Sequence, residues 1–397
     1  MRKTLGTFLV VLLSFAMLVG CGQTNNPSTS ASATPASSTQ PAASANPDTT
    51  AGIYDNIAPL GSPTDLSIGY LTGSHHGMIS YMIQKLGGFE KVGINASIQV
   101  FGNGPVMVEA TDSWDCGAYG IGGTLTGVIS QGHYIIGAAA RDYNTLDIFA
   151  RTDSPIVKAG KTLADYPNLY GTADAWKGTE VYVPTGTTLQ YVLATGLSKF
   201  EIKDTDIKMT HMDVPSINTA LQAGQGEVGA LWGAFALNTQ DSKDFTMVMS
   251  ANDLGIELPI AMVANPKSYD DPVKHAAIEK WMELYFATVN WINASEDNFN
   301  KAAQMFTDIN DEQGVKSTVE QNSWILKHDC HYTLDENYKM YHTKSADGTM
   351  SLYEKMNYDP LMFFIQAGNY KPEDAQKFLG GYFKSDMVDD LYNAKNK

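Results

Sequence analysis

Short apolar runs with strand character alternate with amphipathic helical stretches along most of the chain, and this alternation restricts the fold more than any other feature. The strand-like runs fall at residues 66–70, 96–101, 134–139, 146–151, 180–183, 207–212, 228–232 and 260–263. Between the first two, Met78, Ile79, Met82, Ile83 and Leu86 recur at the spacing of one helix face, and the run stops at Gly87-Gly88. Leu125, Val128 and Ile129 mark a helix that ends at Gly132; Leu189, Val192, Leu193 and Leu197 mark another, interrupted by Gly196. From about residue 271 the pattern becomes mostly helical, with Trp281, Leu284, Tyr285 and Val289 as a buried stripe expected to pack against the first lobe. Strands alternating with helices predict an α/β fold with parallel sheets. A chain of 397 residues is long for one core and sufficient for two lobes.

The amino terminus is built differently. Arg2 and Lys3 precede an uncharged apolar stretch that closes on Leu18-Val19-Gly20-Cys21, the pattern of a signal peptide. Its apolar part is shorter than the ~20 residues of a spanning helix, and its end resembles a bacterial lipobox, so Cys21 is expected to be lipidated. Diacylglycerol and an amide-linked acyl chain such as palmitate would supply the several buried chains that stable anchoring requires. Residues 22–52 are dominated by Ser, Thr, Ala and Pro and contain no Leu, Ile, Val, Met or aromatic residue. They cannot bury a core and read as a tether. The expected organisation is a leader at 1–21, a tether at 22–60, one lobe from 61–151 and 255–397, and a second from 152–254.

Forty-three acidic and 27 basic residues give a net charge of −16, which repels nucleic-acid phosphates and leaves no basic membrane patch. With Cys21 assigned to lipid, only Cys116 and Cys330 remain; one disulfide is possible, and two separate buried thiols are the expectation.

Five junctions place Gly, Ser or Thr where a helix should begin: Gly73 to Gly77, Gly102 to Pro105, Gly120 to Thr124, Pro184 to Thr188 and Asp213 to Ser216. Such loops serve as ordinary caps. They also expose helix N-termini at the carboxyl edge of a sheet, where open α/β proteins place ligands. Their recurrence in both lobes favours the second reading.

Several segments, in one order, resemble the aliphatic-sulfonate, taurine and nitrate binding-protein family, which also holds thiamine-pyrimidine precursor binders. They are Leu66-Ser67-Ile68-Gly69-Tyr70, Phe101-Gly102-Asn103-Gly104-Pro105, Ala118-Tyr119-Gly120-Ile121-Gly122, Val181-Tyr182-Val183-Pro184-Thr185-Gly186-Thr187-Thr188, and the run from Leu221 through Trp232. The resemblance spans about residues 66–235. It implies a periplasmic-binding-protein fold of the second topological type, with two lobes joined by two crossovers, and a monomer that serves ABC permease subunits. One departure bears on the ligand: relatives often carry Trp-Glu-Pro-Phe near the second crossover, where this chain has Trp232-Gly233-Ala234-Phe235.

The residues expected to hold the ligand are Ser74, His75 and His76, with Asn103, from the first two loops, and Gly122, Gly123 and Thr124 from the third. Thr185, Gly186, Thr187 and Thr188 would answer from the second lobe, while Tyr143, Trp232 and Phe235 would cover an organic body. No acidic residue lies in these loops, so a small organic anion, a sulfonate, taurine-like molecule or carboxylate, is the expected solute. Charged His75 and His76 would tighten its binding as pH falls toward ~6.

Other chemistry fares less well. Ala159-Gly160-Lys161-Thr162 ends like a phosphate-binding loop, but Pro155 occupies the position of its first glycine. Gly102-Asn103-Gly104 is followed by Met107 rather than a third glycine. No cofactor is therefore expected. His328-Asp329-Cys330-His331 together with His75-His76 would suit a metal if they converged, which makes a metal-binding lipoprotein one rival; a ligand sensor and a pyrimidine-precursor binder are others. Catalysis is not expected, because the pyrimidine-synthesising relatives carry a cysteine-rich iron-linked motif that this chain lacks.

Overall fold

The computed structural model describes residues 52–397; the leader, Cys21 and the tether through residue 51 lie outside the described residues. Ten strands form two five-stranded sheets. They are β1 (Thr64–Leu71), β2 (Ile94–Phe101), β3 (Cys116–Tyr119), β4 (Tyr134–Asp142), β5 (Leu146–Arg151), β6 (Glu180–Val183), β7 (Lys208–His211), β8 (Val228–Trp232), β9 (Phe245–Ser250) and β10 (Leu258–Ala264). The first sheet has the order β2-β1-β3-β10-β4 and the second β7-β6-β8-β5-β9.

β1 pairs in parallel with β2 and β3, and β6 with β7 and β8. The expected parallel sheets are found, and each also carries one reversed strand. β10 runs antiparallel to β3 and β4, and β5 antiparallel to β8 and β9. Both reversed strands are the ones that have just crossed from the other sheet, so each lobe receives one strand from the wrong direction. The crossovers are residues 143–145 and 251–257. This moves β5 into the second lobe, and the expected lobe boundary at residue 151 is corrected to residues 143–145. The cause is the link Tyr143-Asn144-Thr145, which contains neither glycine nor proline to mark a break.

Each sheet buries its apolar side chains against helices. In the first lobe Leu66 and Ile68 of β1 share a core with Met78, Ile79, Met82 and Ile83 and with Trp281 and Tyr285 of the long helix Pro272–Ala294. In the second, Ile148 and Phe149 share a core with Leu189, Val192, Leu193, Ile217 and Leu221. Each large side chain so buried stabilises the fold by ~1.5–3 kcal/mol. Tyr54 and Ile57 belong to the first-lobe core, and the Tyr54 hydroxyl bonds Thr288 at 2.9 Å. The tether expected to reach residue 60 is therefore corrected: Tyr54 and Ile57 are already packed.

The helical tail covers the exposed edge of β4, where unpaired strand groups would invite a foreign strand. Asn337 donates to the Ala138 carbonyl at 3.0 Å and accepts from its N–H at 2.6 Å, and the Tyr353 hydroxyl donates to the Gly137 carbonyl.

Candidate functional site

The carboxyl ends of both sheets meet at a cavity of about 40 Å³, room for roughly three water molecules. The lobes close on it through glycine. A Cβ on Gly122 would lie 1.8 Å from the Gly186 carbonyl oxygen, and one on Gly233 would lie 2.7 Å from the Gly73 carbonyl oxygen. Each contact joins a loop after a first-sheet strand to a loop after a second-sheet strand.

Five helices start at the cavity: His75–Lys85, Gly104–Glu109, Ile121–Thr126, Thr188–Lys199 and Gly233–Gln240. Asn103 caps the second of these with its side chain, whereas Ser74, Gly120, Thr187 and Trp232, at the N-caps of the other four, make no side-chain cap. The Ser74 hydroxyl donates instead to the Leu71 carbonyl at 3.0 Å, and that of Thr187 to the Pro184 carbonyl at 2.6 Å. Many helices beginning elsewhere are capped, with Ser154, Thr172, Asp213, Asn265 and Asp271 all accepting from first-turn N–H groups, although those after Gly87 and Ser385 are not. At the four uncapped cavity starts the positive ends of the helix dipoles face the cavity, and first-turn donors are left for a guest, except the Gly233 N–H, which donates to the Thr145 carbonyl at 3.2 Å. The Trp232 indole Nε1 adds a buried donor with no partner among the described residues.

Ser74, His75, His76, Gly122, Gly123, Thr187, Thr188 and Trp232 line the cavity. The other expected ligand residues stand behind or beside it. Asn103 caps a helix through Val106 N–H at 3.0 Å. The Thr124 hydroxyl donates to the Gly120 carbonyl at 3.3 Å. Tyr143 N–H donates to Asp329 in the first crossover. Thr185 bonds His211, Gly186 presses on Gly122 without lining the space, and Phe235 packs beneath Gly73.

The histidines are corrected as well. His75 donates from Nε2 to the Arg141 carbonyl at 2.9 Å, and His331 donates to the His75 carbonyl at 3.2 Å. Burial pushes His75 below its ordinary value and His76 well below it, the latter helped by the neighbouring His75 and His331; burial pushes His331 down to about 3. His331 is therefore neutral near pH 6, and burial works against the expected charge on His75 and His76. Nor do the suspected metal ligands converge: His328 stacks on exposed Trp324 while His331 is buried. Among the described residues no group of three His, Cys, Asp or Glu could hold a metal ion. Cys116 and Cys330 are both free; Cys330 is only half-buried and accepts from Arg141 Nη1 at 3.2 Å.

The reading of the loops missed one carboxyl. Asp142, the last residue of β4, lines the cavity. Burial pushes it up to about 8, the nearby Asp329 adds to this, and a hydrogen bond from the Thr188 hydroxyl opposes it. The acids that did stand near the expected loops are engaged elsewhere, Asp112 with Lys267, Asp115 with Lys274 and Asp213 with Ser216 N–H. The end of a strand at the carboxyl edge of a sheet was the available signal for Asp142.

No family model matches the sequence. A Brachyspira hyodysenteriae protein named as an ABC transporter periplasmic binding protein is 22% identical over 263 residues, 66% of this chain and 73% of that protein. The alkanesulfonate-binding protein SsuA from Xanthomonas axonopodis pv. citri, solved bound to MOPS, superposes with a TM-score of 0.58 at 15% identity, covering 78% of this chain and 95% of that one. The periplasmic nitrate-binding protein NrtA from Synechocystis gives 0.59 at 11% identity, covering 85% and 90%. The resemblance carried by the motifs is thereby matched in the fold, which is that of the periplasmic binding proteins. Fold and relatives together liken the chain to solute-binding proteins of ABC transporters; the similar proteins are binding proteins and not enzymes.

Proposed function

We propose that this is an extracytoplasmic lipoprotein that captures a small organic solute through its anionic group and delivers it to an ABC permease. The observation that carries the reading is that four of the five helix starts at one cavity have no side-chain cap. Oriented N–H groups and the Trp232 indole are donors without acceptors, and an oxyanion supplies acceptors. Asp142 does not forbid this, since a carboxyl held up to about 8 is uncharged at neutral pH. The sulfonate- and nitrate-binding neighbours support the same ligand chemistry.

Calorimetry with short sulfonates, carboxylates and nitrate, set against amines and divalent metals, tests the proposal. Heat and a raised Tm are expected with the anions; a response confined to amines or metals would refute it. The anchor has its own test. Cys21→Ala should move the protein from the membrane to the soluble fraction while leaving its Tm unchanged, and a variant that stays with the membrane would refute lipidation there.

A further inference from the structure

The start of the helix Thr188–Lys199 departs from its own sequence signal. Thr187-Thr188-Leu189-Gln190 has the Thr-x-x-Gln spacing of a capping box, in which the threonine hydroxyl accepts from the glutamine N–H and the glutamine side chain accepts from the threonine N–H. Thr318-Val319-Glu320-Gln321 has the same spacing and forms both bonds: Thr318 N–H donates to Gln321 Oε1 at 3.0 Å, and Gln321 N–H to the Thr318 hydroxyl at 3.2 Å. At Thr187 neither bond forms. Its hydroxyl donates to the Pro184 carbonyl, and Gln190 Oε1 reaches one residue further back to accept from the Gly186 N–H at 2.7 Å. The reason lies behind the helix, where Gln190 Nε2 donates to Asp204 Oδ2 at 3.2 Å and both side chains are buried. A carboxylate only accepts, so Asp204 holds the amide nitrogen on its own side and turns the amide oxygen toward Gly186.

We infer that Gln190 is a positioning residue for the second-lobe half of the cavity: locked by Asp204, it fixes the Gly186 turn and keeps the helix start at Thr187 uncapped for the solute. This rests on the reading of that cavity as the solute site. Gln190 does not line the cavity and works through the backbone. Gly186 has φ +72°, a left-handed conformation, and its carbonyl oxygen is the atom that a Cβ on Gly122 would strike. Fixing the Gly186 N–H therefore sets where that carbonyl points across the lobe contact. On the other side of the turn, the Thr185 N–H and hydroxyl bond His211 Nδ1 at 3.1 Å and 2.8 Å. The turn is thus held from both sides, while the first-turn N–H groups after Thr187 keep no side-chain acceptor.

Exchanging amide and carboxylate tests the pair, with ethanesulfonate as the probe in calorimetry on the whole folded chain. Gln190→Glu sets two carboxylates against each other, drives the side chain off Gly186, and should weaken binding about tenfold or more. Adding Asp204→Asn to Gln190→Glu places an amide donor opposite the carboxylate, so affinity should return to within about threefold of wild type. A side chain that only packs the helix would lower Tm in Gln190→Glu and leave the affinity of the folded protein unchanged. That outcome, or a double variant that binds no better than Gln190→Glu, would overturn the inference. Hydrogen exchange on the unmodified protein without solute needs no variant: the Gly186 amide should exchange at least about tenfold more slowly than the Thr187 amide, and equal rates would overturn the assignment. If ethanesulfonate does not bind the wild-type protein, the anion reading falls, and the Gly186 exchange rates of wild type, Gln190→Glu and the double variant still decide the role of Gln190.

Discussion

Two carboxyls and two imidazoles, all buried, give the protein an uneven response to pH. Burial raises Asp142 from 3.8 to about 8 and Asp147 well above 3.8, and lowers His133 from 6.5 to about 4 and His331 to about 3. An acid with a raised folded-state pKa favours folding fully below its unfolded value, and that contribution is lost as pH rises through the folded value. The histidines work in the other direction, contributing above 6.5 and losing ground as pH falls toward 4 and 3. Between about pH 6.5 and about pH 8.5 the acid term therefore stands without opposition, and Tm should fall. Asp142→Asn should flatten the fall in calorimetry, and a wild-type Tm that holds or rises across this window would contradict the assignment. The paired threonines separate in the same spirit. The Thr187 hydroxyl serves the backbone and that of Thr188 serves Asp142. Thr187→Val should cost about 1 kcal/mol of stability in urea unfolding, whereas Thr188→Val should act on ligand affinity. Sequence pattern reached these threonines because a Gly-Thr-Thr run before apolar Leu189 has one local meaning. It did not reach Asp142, whose place at the cavity depends on a turn of chain and on a helix start from the other lobe.

Glycine at the loop contacts sets how far the lobes can close. Gly122→Ala would drive a Cβ into the Gly186 carbonyl, against backbone on both sides, so neither partner can step aside by changing rotamer. The variant should fold, bind ligand more weakly by tenfold or more, an energy of ~1.4 kcal/mol, and scatter X-rays as a more open particle in the presence of ligand. Unchanged affinity would mean that closure is not limited there. Elements with strong periodicity were legible without coordinates: the helix carrying Met78, Ile79, Met82 and Ile83, and the long helix with Trp281 and Tyr285. β3 and β9 were not. Cys116-Gly117-Ala118-Tyr119 is a four-residue strand buried on both faces, which offers no alternation to detect, and in Phe245-Thr246-Met247-Val248-Met249-Ser250 the apolar Val248 breaks the two-residue repeat. Gly196 looked like a defect in its helix. It is where Met249 packs, its sulfur 2.4 Å from the position a Cβ would take.

At the scale of the whole molecule, two lobes were legible from length and from the repetition of strand and helix, while their exact partition was not, because strand direction is decided by the sheet a strand joins. The two connections between the lobes are also unequal. The first is fastened by Asp329, which accepts from Tyr143 N–H at 3.3 Å, Asn144 N–H at 2.9 Å and the Thr145 hydroxyl at 3.1 Å. The second folds on itself: Ser250 and Asp253 bond each other, and Leu254, Gly255 and Ile256 bond back to Ala251 and Asn252. The second is also tied outward, by Ala251 N–H to the Leu146 carbonyl at 3.0 Å, by Asn168 to Asp253 at 2.8 Å and by Arg141 to Glu257 at 3.5 Å, whereas the first, a strap pinned on one buried carboxylate, can act as an axle. Thr145, where the pinned strap ends, borders the cavity, so the axle runs past the solute instead of at a distance from it. An opening about that axle would hold the end of a solute beside Asp142 nearly still while the far end is swept clear, so the solute would turn before it leaves.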